Sequence, residues 1–327
     1  MNIIEYAIAR KLAGGGTGGG GSSSDEEWFN DGDTHIWITL QEGRTSPMLG
    51  VCPNGTVTVD WGDGTEPDTL TGTSTSTVQW TPTHNYAKPG DYVITLKVDG
   101  EMGITGNSSV NEKTCLLRYS TAADARNIVY QNTITRIELG NGVTSIGNYA
   151  FSNCHSLTSV VISDSATSIG SGAFYYCYSL TSVAIPDSVM SIGEDAFYSC
   201  YSLTSVVIPD SVTSIGNTAF SNCYSLTSVV IPDSVMSIGS KAFYYCYSLT
   251  SVAIPDSVMI IRSSSFYYCY GVAYYDFANH TQVPTLSNTN AFSSIPADCE
   301  IRVPAALYDE WIAATNWSTY ASHIVAV

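Results

Sequence analysis

Apolar and polar positions repeat every 23 residues between residues 143 and 265. Each copy contains an apolar run, a Pro-Asp-Ser turn and an Ala-Phe-x-x-Cys segment, as in LTSVVIPDSVTSIGNTAFSNCYS. One phenylalanine and one cysteine per copy keep the same phase, from Phe151 and Cys154 to Phe266 and Cys269. A unit this short cannot bury its own apolar face, so the period predicts a solenoid of stacked coils.

The apolar run of each copy predicts a short strand. In residues 157–162, Leu157, Val160 and Ile162 are expected to face inward, and Ser159 and Val161 outward. Stacked coils then form a parallel sheet, and the Ala-Phe-x-x-Cys segment forms a helical turn that buries its phenylalanine and cysteine. The outward row is small and apolar: Val161, Ala184, Val207, Val230 and Ala253. Association between copies of the chain through this row is one possibility, and the oligomeric state stays open.

The repeat unit resembles the BspA-type leucine-rich repeat, a bacterial variant with a 23-residue coil. The resemblance covers about residues 134–281 and rests on the phenylalanine, the cysteine, the Leu-x-x-Val-x-Ile run and the Pro-Asp-Ser turn, which recur in register. Residues 282–327 resemble the C-terminal cap of such arrays, with a helix near residues 305–314. The resemblance implies surface display and binding, often adhesion to host or matrix molecules, and it does not imply catalysis.

Residues 33–101 predict a second β-rich domain before the repeats. The segments HIWITL, TVTVDW, TVQW and DYVITLKV are typical of strands separated by Pro, Gly, Asn and Asp clusters. The Gly-Asp-Gly turn at residues 62–64, the His-Asn-Tyr element at 84–86 and the Pro-Gly-Asp-Tyr hairpin at 89–92 resemble a PKD domain. That family implies an immunoglobulin-like sandwich used as a spacer or modest ligand-binding module. Residues 102–133 are expected to form a connector and N-terminal cap.

The predicted fold class is therefore mainly β, a leucine-rich-repeat solenoid with an N-terminal PKD-like, immunoglobulin-like β-sandwich. At the start of the chain, residues 1–13 place Ile4, Ile8 and Leu12 on one helical face, and a Gly/Ser-rich flexible linker occupies residues 14–32. Two interpretations are open, a passive tail or an anchoring helix that assembles into a particle such as a phage or prophage tail. Charged residues interrupt the apolar run that a signal peptide requires, and no stretch is long enough to span a membrane.

Acidic residues outnumber basic ones 29 to 12 among the 327 residues, which gives a formal net charge of −17. This balance repels phosphate backbones and argues against a nucleic-acid partner. Charged residues make up only 13% of the chain, whereas Ser, Thr, Gly and Tyr are abundant. That composition is typical of an extracellular, cell-surface or virion-borne β protein.

Six of the nine cysteines lie on the 23-residue period. Neighbouring coils bring equivalent residues within disulfide distance, but the interior position of these cysteines favours a row of buried thiols. Cys52, Cys115 and Cys299 lack metal-site spacing, and the aspartates of residues 60–68 match no calcium loop and are expected to form turns. The five histidines show no zinc or nucleophile motif. The sequence therefore predicts no metal, no cofactor and no enzymatic activity.

Tyrosines on either side of the periodic cysteine form the candidate binding surface. Such rows can stack on sugar rings or anchor protein contacts, and they can also pack between coils with only the hydroxyl in water. The candidates are Tyr175, Tyr178, Tyr198, Tyr201, Tyr224, Tyr244, Tyr247, Tyr267 and Tyr270. We expect a recognition or adhesion protein whose repeat rod binds a cell-surface protein or glycan. The alternatives are a structural or decoration component of a phage tail or other appendage, anchored by its N-terminus, and a carbohydrate-binding accessory module.

Overall fold

The structure is a computed structural model that describes residues 29, 31–42, 45–105, 116–118 and 132–327. Ile4, Ile8 and Leu12, the predicted anchoring residues, and Cys115 lie outside this part of the chain. The described residues form an antiparallel β unit, a solenoid of stacked coils and a C-terminal cap, which confirms the mainly β solenoid. None of their helices is long and apolar enough to cross a membrane.

Six strands form the antiparallel unit: β1 (Thr34–Leu40), β2 (Met48–Asp60), β3 (Asp68–Thr73), β4 (Gln79–Trp80), β5 (Gly90–Ile104) and β6 (Leu117–Arg118). β5 lies between β1 and β2, and β3 extends the sheet beyond β2. The first residues of β2 pair instead with β4 and β6. Ile36, Ile94 and Leu96 are fully buried, as the alternation of apolar and polar residues along these strands predicts.

The repeats form two parallel ladders of short strands. The first begins with β7 (Ile134–Glu138), β9 (Ser159–Val161), β10 (Ser182–Ala184), β11 (Ser205–Val207) and β13 (Ser228–Val230). After a break in strand pairing it continues with β15 (Ser251–Ala253), β17 (Tyr274–Asp276), β19 (Glu300–Val303) and β20 (Ile324–Ala326). The second contains β8 (Val143–Ile146), β12 (Ser214–Ile215), β14 (Ser237–Ile238), β16 (Ile260–Ile261) and β18 (Thr285–Leu286). Equivalent residues of adjacent coils pair, as Val183 does with Val160 and Val206, so the register follows the sequence repeat.

The antiparallel unit joins the solenoid at both ladders. β1 pairs antiparallel with β7, where Trp37 lies opposite Arg136. β5 pairs parallel with β8, where Ile104 lies opposite Ile146, and it therefore continues three residues beyond the predicted domain end at residue 101. These backbone hydrogen bonds make the unit a cap on the first coil. Its PKD-like, immunoglobulin-like identity stays a prediction.

Each coil contributes one phenylalanine and one cysteine to the solenoid interior. The rings from Phe151 to Phe266 stack with centroids 5.1–5.5 Å apart, and Phe292 continues the stack at 5.4 Å. The periodic cysteines are fully buried free thiols, as predicted: Cys154, Cys177, Cys200, Cys223, Cys246 and Cys269. From Cys177 onward, each Sγ–H donates a hydrogen bond of 3.2–3.4 Å to the phenylalanine carbonyl of the preceding coil. The interior is thus a repeated pair of aromatic and thiol layers.

The C-terminal cap closes the last coil with aromatic side chains. It contains a 3₁₀ turn (Ala305–Leu307), helix α1 (Tyr308–Ala313) and a second 3₁₀ turn (Trp317–Tyr320). Trp311 and Trp317 are fully buried, with ring centroids 5.0 and 5.5 Å from that of Phe277. The Trp317 indole N–H donates a 2.7 Å hydrogen bond to the Pro284 carbonyl. The helix near residues 305–314 is confirmed.

Two residues of each coil adopt the left-handed backbone conformation. One precedes the buried Ala-Phe pair and the other precedes the interior cysteine, as Lys241 (φ 57°) and Tyr245 (φ 61°) do within one coil. Gly172 is the one glycine at these positions in the described coils. Left-handed backbone costs a residue with a Cβ roughly 1–2 kcal/mol, so the hydrogen bonds between coils hold ordinary residues in a strained turn.

Candidate binding surface

The tyrosines that follow the interior cysteine form a continuous column of rings. This tyrosine column consists of Tyr178, Tyr201, Tyr224, Tyr247 and Tyr270. Neighbouring ring centroids are 4.8–5.7 Å apart, and their planes are within 20° of parallel. His155 extends the stack at its first end, 4.5 Å from Tyr178. One tyrosine per repeat thus becomes a regular row along the solenoid axis.

Ring stacking decides which atoms of the tyrosine column can meet a ligand. Each inner ring has another ring against both faces, so its outer edge and its hydroxyl are what remain for contact. Within the described chain, no hydrogen bond is made to these five hydroxyls. Exposure increases toward the last coil, reaching 38% for Tyr247 and 53% for Tyr270. The column therefore presents phenol edges and hydroxyls rather than faces on which sugars can stack.

Two further rows of tyrosines lie beside the column. One row contains Tyr175, Tyr198, Tyr244 and Tyr267, and the other contains Tyr176, Tyr245 and Tyr268. Rings of the second row lie 4.1–4.2 Å from rings of the first and 5.2–5.5 Å from rings of the column. All nine candidate tyrosines therefore lie on one surface. We call these nine residues and the three that connect them the tyrosine surface.

Tyr176, Tyr245 and Tyr268 were not among the predicted binding residues, although they share the 23-residue period. All three adopt the left-handed conformation, with φ of 61–62°. That local reversal brings two consecutive rings together, as in the 4.1 Å separation of Tyr175 and Tyr176. The period could have identified these residues, but their contact with the column depends on backbone geometry that the residue types do not reveal.

The tyrosine surface carries little charge. Burial raises the pKa of Tyr178, Tyr224 and Tyr247, so these phenols are neutral at physiological pH. The Lys241 ammonium lies over the Tyr244 ring, 5.6 Å from its centroid. Across the described part of the chain, no group of three or more histidine, cysteine or acidic side chains is placed to hold a metal ion. The surface is suited to binding through hydroxyl groups and aromatic edges.

In the antiparallel unit, His84 and the aspartates of residues 60–68 make structural contacts. His84 Nε2 lies 2.9 Å from Asp63 Oδ2, and its ring stacks on Trp61 at 4.5 Å. The Trp61 indole N–H donates to Asp68 at 2.8 Å, and the backbone N–H of residue 62 donates to Asp60 at 2.9 Å. These aspartates form turn and strand contacts, as expected.

The outward-facing residues of the first ladder are buried in the first coils and exposed in the later ones. Val161 is only 5% exposed, whereas Val207 and Val230 are 47% and 61% exposed. The threonine hydroxyls beside this row donate to threonine carbonyls of the preceding coil: Thr158, Thr181, Thr204, Thr227 and Thr250. The open sheet face is therefore apolar and narrow, and its neighbouring hydroxyls already have acceptors.

The family model of the BspA type leucine rich repeat region matches the chain in six copies. The matches cover residues 125–217 and 190–307, so together they span more than half of the 327 residues. A search of curated proteins finds no match.

Solved leucine-rich repeat structures are also similar to this chain. The T. pallidum leucine-rich repeat protein TpLRR is 35% identical over 43% of this chain and 68% of that one, with a TM-score of 0.42. A leucine-rich repeat protein from Bacteroides ovatus is 27% identical over 53% and 51%, with a TM-score of 0.43. A leucine-rich cell surface protein from Faecalibacterium prausnitzii is 26% identical over 55% and 59%, with a TM-score of 0.35. The chain spans about half to two thirds of these relatives.

Proposed function

Because the chain belongs to the BspA-type leucine-rich repeat family, we propose that it is a non-catalytic recognition protein that binds a cell-surface partner through its tyrosine surface. The observation that supports this role most directly is the tyrosine column, whose five hydroxyls make no hydrogen bond within the described chain. Tyrosine offers a large contact area with a hydrogen-bonding tip, which is why it is frequent in binding surfaces.

The column is also organised in advance of binding. Its rings are held by stacking on their neighbours in adjacent coils, at 4.8 Å for both Tyr178–Tyr201 and Tyr201–Tyr224. Ordering a free side chain at an interface costs about 0.5–1.5 kcal/mol, and much of that cost is already met in the stacked column. A partner therefore meets a row of hydroxyls carried by stacked rings whose centroids are 4.8–5.7 Å apart.

The open sheet face supports binding less well. Val207 and Val230 are its most exposed apolar side chains, and they form a narrow row. The adjacent threonine hydroxyls already donate to backbone carbonyls, as Thr204 does to Thr181 at 3.2 Å. This face therefore has fewer hydroxyls that could form a new hydrogen bond to a ligand. For that reason we assign recognition to the tyrosine surface.

The N-terminal part has a separate role in the proposal. Residues 1–13 anchor the protein to a particle or appendage through Ile4, Ile8 and Leu12, at a cell surface or on a virion. The antiparallel unit, with its resemblance to a PKD domain, serves as the spacer between this anchor and the solenoid. Its pairing with both solenoid ladders supports a stiff connection rather than a hinge.

Binding of fluorescent full-length chain to intact cells tests the recognition role. The panel contains Gram-positive bacteria, Gram-negative bacteria and a human epithelial line, measured by flow cytometry. We expect binding to at least one cell type, and a loss of at least tenfold in the Tyr201→Ala/Tyr224→Ala variant. The matched control is Thr204→Ala/Thr227→Ala, which alters the sheet face of the same two coils. Equal loss in both variants, or binding to none of the cells, contradicts the proposal.

A further inference from the structure

His280 is a buried histidine at the contact between the last coils and the C-terminal cap. It lies in the segment between β17 and β18 and is only 3% exposed. Its ring contacts those of Phe277 and Trp311 edge to face, with centroids 5.0 and 5.8 Å away. Because Trp311 belongs to α1, the imidazole is part of the aromatic layer that joins the cap helix to the coils.

The two ring nitrogens of His280 are buried and form no hydrogen bond. The Trp311 indole N–H beside the ring is also buried without a partner, and it is a donor that cannot accept a proton from a charged imidazole. His35, His84 and His323, by contrast, each have a ring nitrogen within 3.1 Å of an oxygen atom. A buried imidazole without hydrogen bonds is costly when neutral and much more costly when charged.

The residue after His280 fixes the segment to the preceding coil. The Thr281 backbone N–H donates a 2.9 Å hydrogen bond to the Asp256 carboxylate, and its hydroxyl donates to the same carboxylate at 3.0 Å. Asp256 belongs to the Pro-Asp-Ser turn between β15 and β16. The segment is therefore attached to the coils by hydrogen bonds, whereas its contact with α1 is made by aromatic rings.

The charged groups on the coil side oppose the effect of burial on His280. Burial away from water lowers the pKa of His280 below the ordinary histidine value, and it outweighs the other groups. The Asp256 carboxylate, the carbonyls of Val258 and Phe277 and the Asp276 carboxylate favour the charged ring. All four of these groups belong to the coils or to the segment itself.

The charged side chains of the cap helix lie at its solvent-facing surface. Asp309 and Glu310 are exposed, whereas Trp311 is buried. On the neighbouring strand β19, the Arg302 guanidinium is bonded to the Glu300 carboxylate at 2.8 Å. A proton on the imidazole is therefore attracted toward the coils and away from the aromatic rings of the cap.

The direction of the pH dependence follows from the burial of His280. A histidine in water has a pKa of about 6.5. As the pH falls below that value, a detached cap leaves residue 280 free to bind a proton that the closed cap excludes. Protonation therefore favours detachment. Aspartate and glutamate titrate near pH 4, so a change from pH 7.5 to 5.5 acts on histidines.

We propose that His280 acts as a pH switch for the C-terminal cap, which closes on the last coil at neutral pH and detaches from it below about pH 6. Detachment separates Trp317 from Phe292, whose ring centroids are 5.6 Å apart in the closed cap. The end of the phenylalanine stack then meets water. This switch concerns the end of the solenoid and is independent of recognition by the tyrosine surface.

Hydrogen exchange of the full chain, followed by mass spectrometry at pH 7.5 and 5.5, tests the switch. Exchange rates are corrected for their intrinsic pH dependence, and peptides from residues 277–327 are compared with the central coils at residues 183–238. His280→Phe keeps a buried ring and removes the titrating group, and His280→Leu does so with a smaller side chain if phenylalanine does not fit. The matched control is His323→Gln, which removes the other histidine of the cap.

A group with a pKa of about 6.5 in the detached cap can shift the opening equilibrium by at most about tenfold between pH 7.5 and 5.5. We expect protection of residues 277–327 to fall by roughly three- to tenfold in the native chain and in His323→Gln, and to stay constant in His280→Phe or His280→Leu. The central coils should keep their protection in all of these chains.

Four results overturn the switch. They are equal protection of the native cap at both pH values, a fall in both His280 variants equal to the native one, loss of the response in His323→Gln, and an equal fall in the central coils. The third result assigns the titration to His323, and the fourth shows that the whole chain opens rather than the cap.

Discussion

The Arg136 guanidinium lies 4.5 Å from the centre of the Trp37 ring, across the junction of the antiparallel unit and the solenoid. Trp37 belongs to β1 and Arg136 to β7, and the two residues are paired in one sheet. A second backbone connection, between β5 and β8, lies on the other ladder. The two parts are therefore one hydrogen-bonded body.

This junction predicts a single unfolding transition for the whole chain. Trp37→Ala removes at least the roughly 0.5–2 kcal/mol of a cation–π contact, so we expect calorimetry to show one transition that moves to lower temperature as a unit. Lys97→Ala, an exposed change on β5, serves as the control and should leave the transition in place. Two separate transitions, of which only the first responds to Trp37→Ala, would show that the unit is an independent spacer.

The buried thiols predict a loss of stability as the pH rises above 8. A free thiol has a pKa of about 8.5, whereas burial raises the pKa of Cys269 to about 12 and raises those of Cys177, Cys200, Cys223 and Cys246 further. Above pH 9 the unfolded chain releases these protons while the folded chain keeps them, so deprotonation favours unfolding. Each pH unit then costs about 1.4 kcal/mol per thiol until the folded pKa is reached.

Urea denaturation at pH 7, 8, 9 and 10 measures this dependence. We expect nearly constant stability to pH 8, then a decline that is shallower in Cys177→Ala/Cys246→Ala. In the native fold, iodoacetamide should leave the interior thiols unmodified at pH 8, because the thiolate is the reactive form and these side chains are fully buried. An identical slope in the double variant would assign the decline to other groups.

The left-handed turn before each Ala-Phe pair predicts an unusual effect of glycine. Lys241 is exposed and has φ of 57°, and Gly172 occupies the equivalent position of another coil. Lys241→Gly removes the Cβ from this conformation, so we expect it to be more stable than Lys241→Ala by roughly 1 kcal/mol. Chemical denaturation of the two variants measures the difference. Greater stability of the alanine variant would contradict the strained turn.

The repeat itself accounts for most of what the sequence predicted correctly. Phe197 and Cys200 recur at a fixed period, and a periodic apolar residue has no place in a solenoid other than its interior. The aromatic cap was predictable because Trp311 and Trp317 follow the last regular coil and an open coil end must be covered. The solenoid needed only the spacing of residues along the chain, whereas the cap and its helix were predicted from their resemblance to those of BspA-type arrays.

Two other features, the junction between the antiparallel unit and the solenoid and the orientation of the tyrosine rings, cannot be predicted from the spacing of residues along the chain. The pairing of Trp37 with Arg136 joins residues far apart in sequence, so no local pattern marks it. The candidate tyrosines were identified, but whether Tyr201 offers a ring face or a ring edge depends on how closely adjacent coils stack. At 4.8 Å from both Tyr178 and Tyr224, its faces are covered and its edge is left for a ligand.

In the proposed function, the tyrosine column recognises its partner through hydroxyls and ring edges. The most direct test is flow cytometry of the Tyr201→Phe/Tyr224→Phe/Tyr247→Phe variant on the cells that bind the native chain. These changes remove three hydroxyls and keep the stacked rings, so we expect the unfolding temperature to stay close to the native value and cell binding to fall at least tenfold. Unchanged cell binding by a folded triple variant would contradict recognition through the hydroxyls.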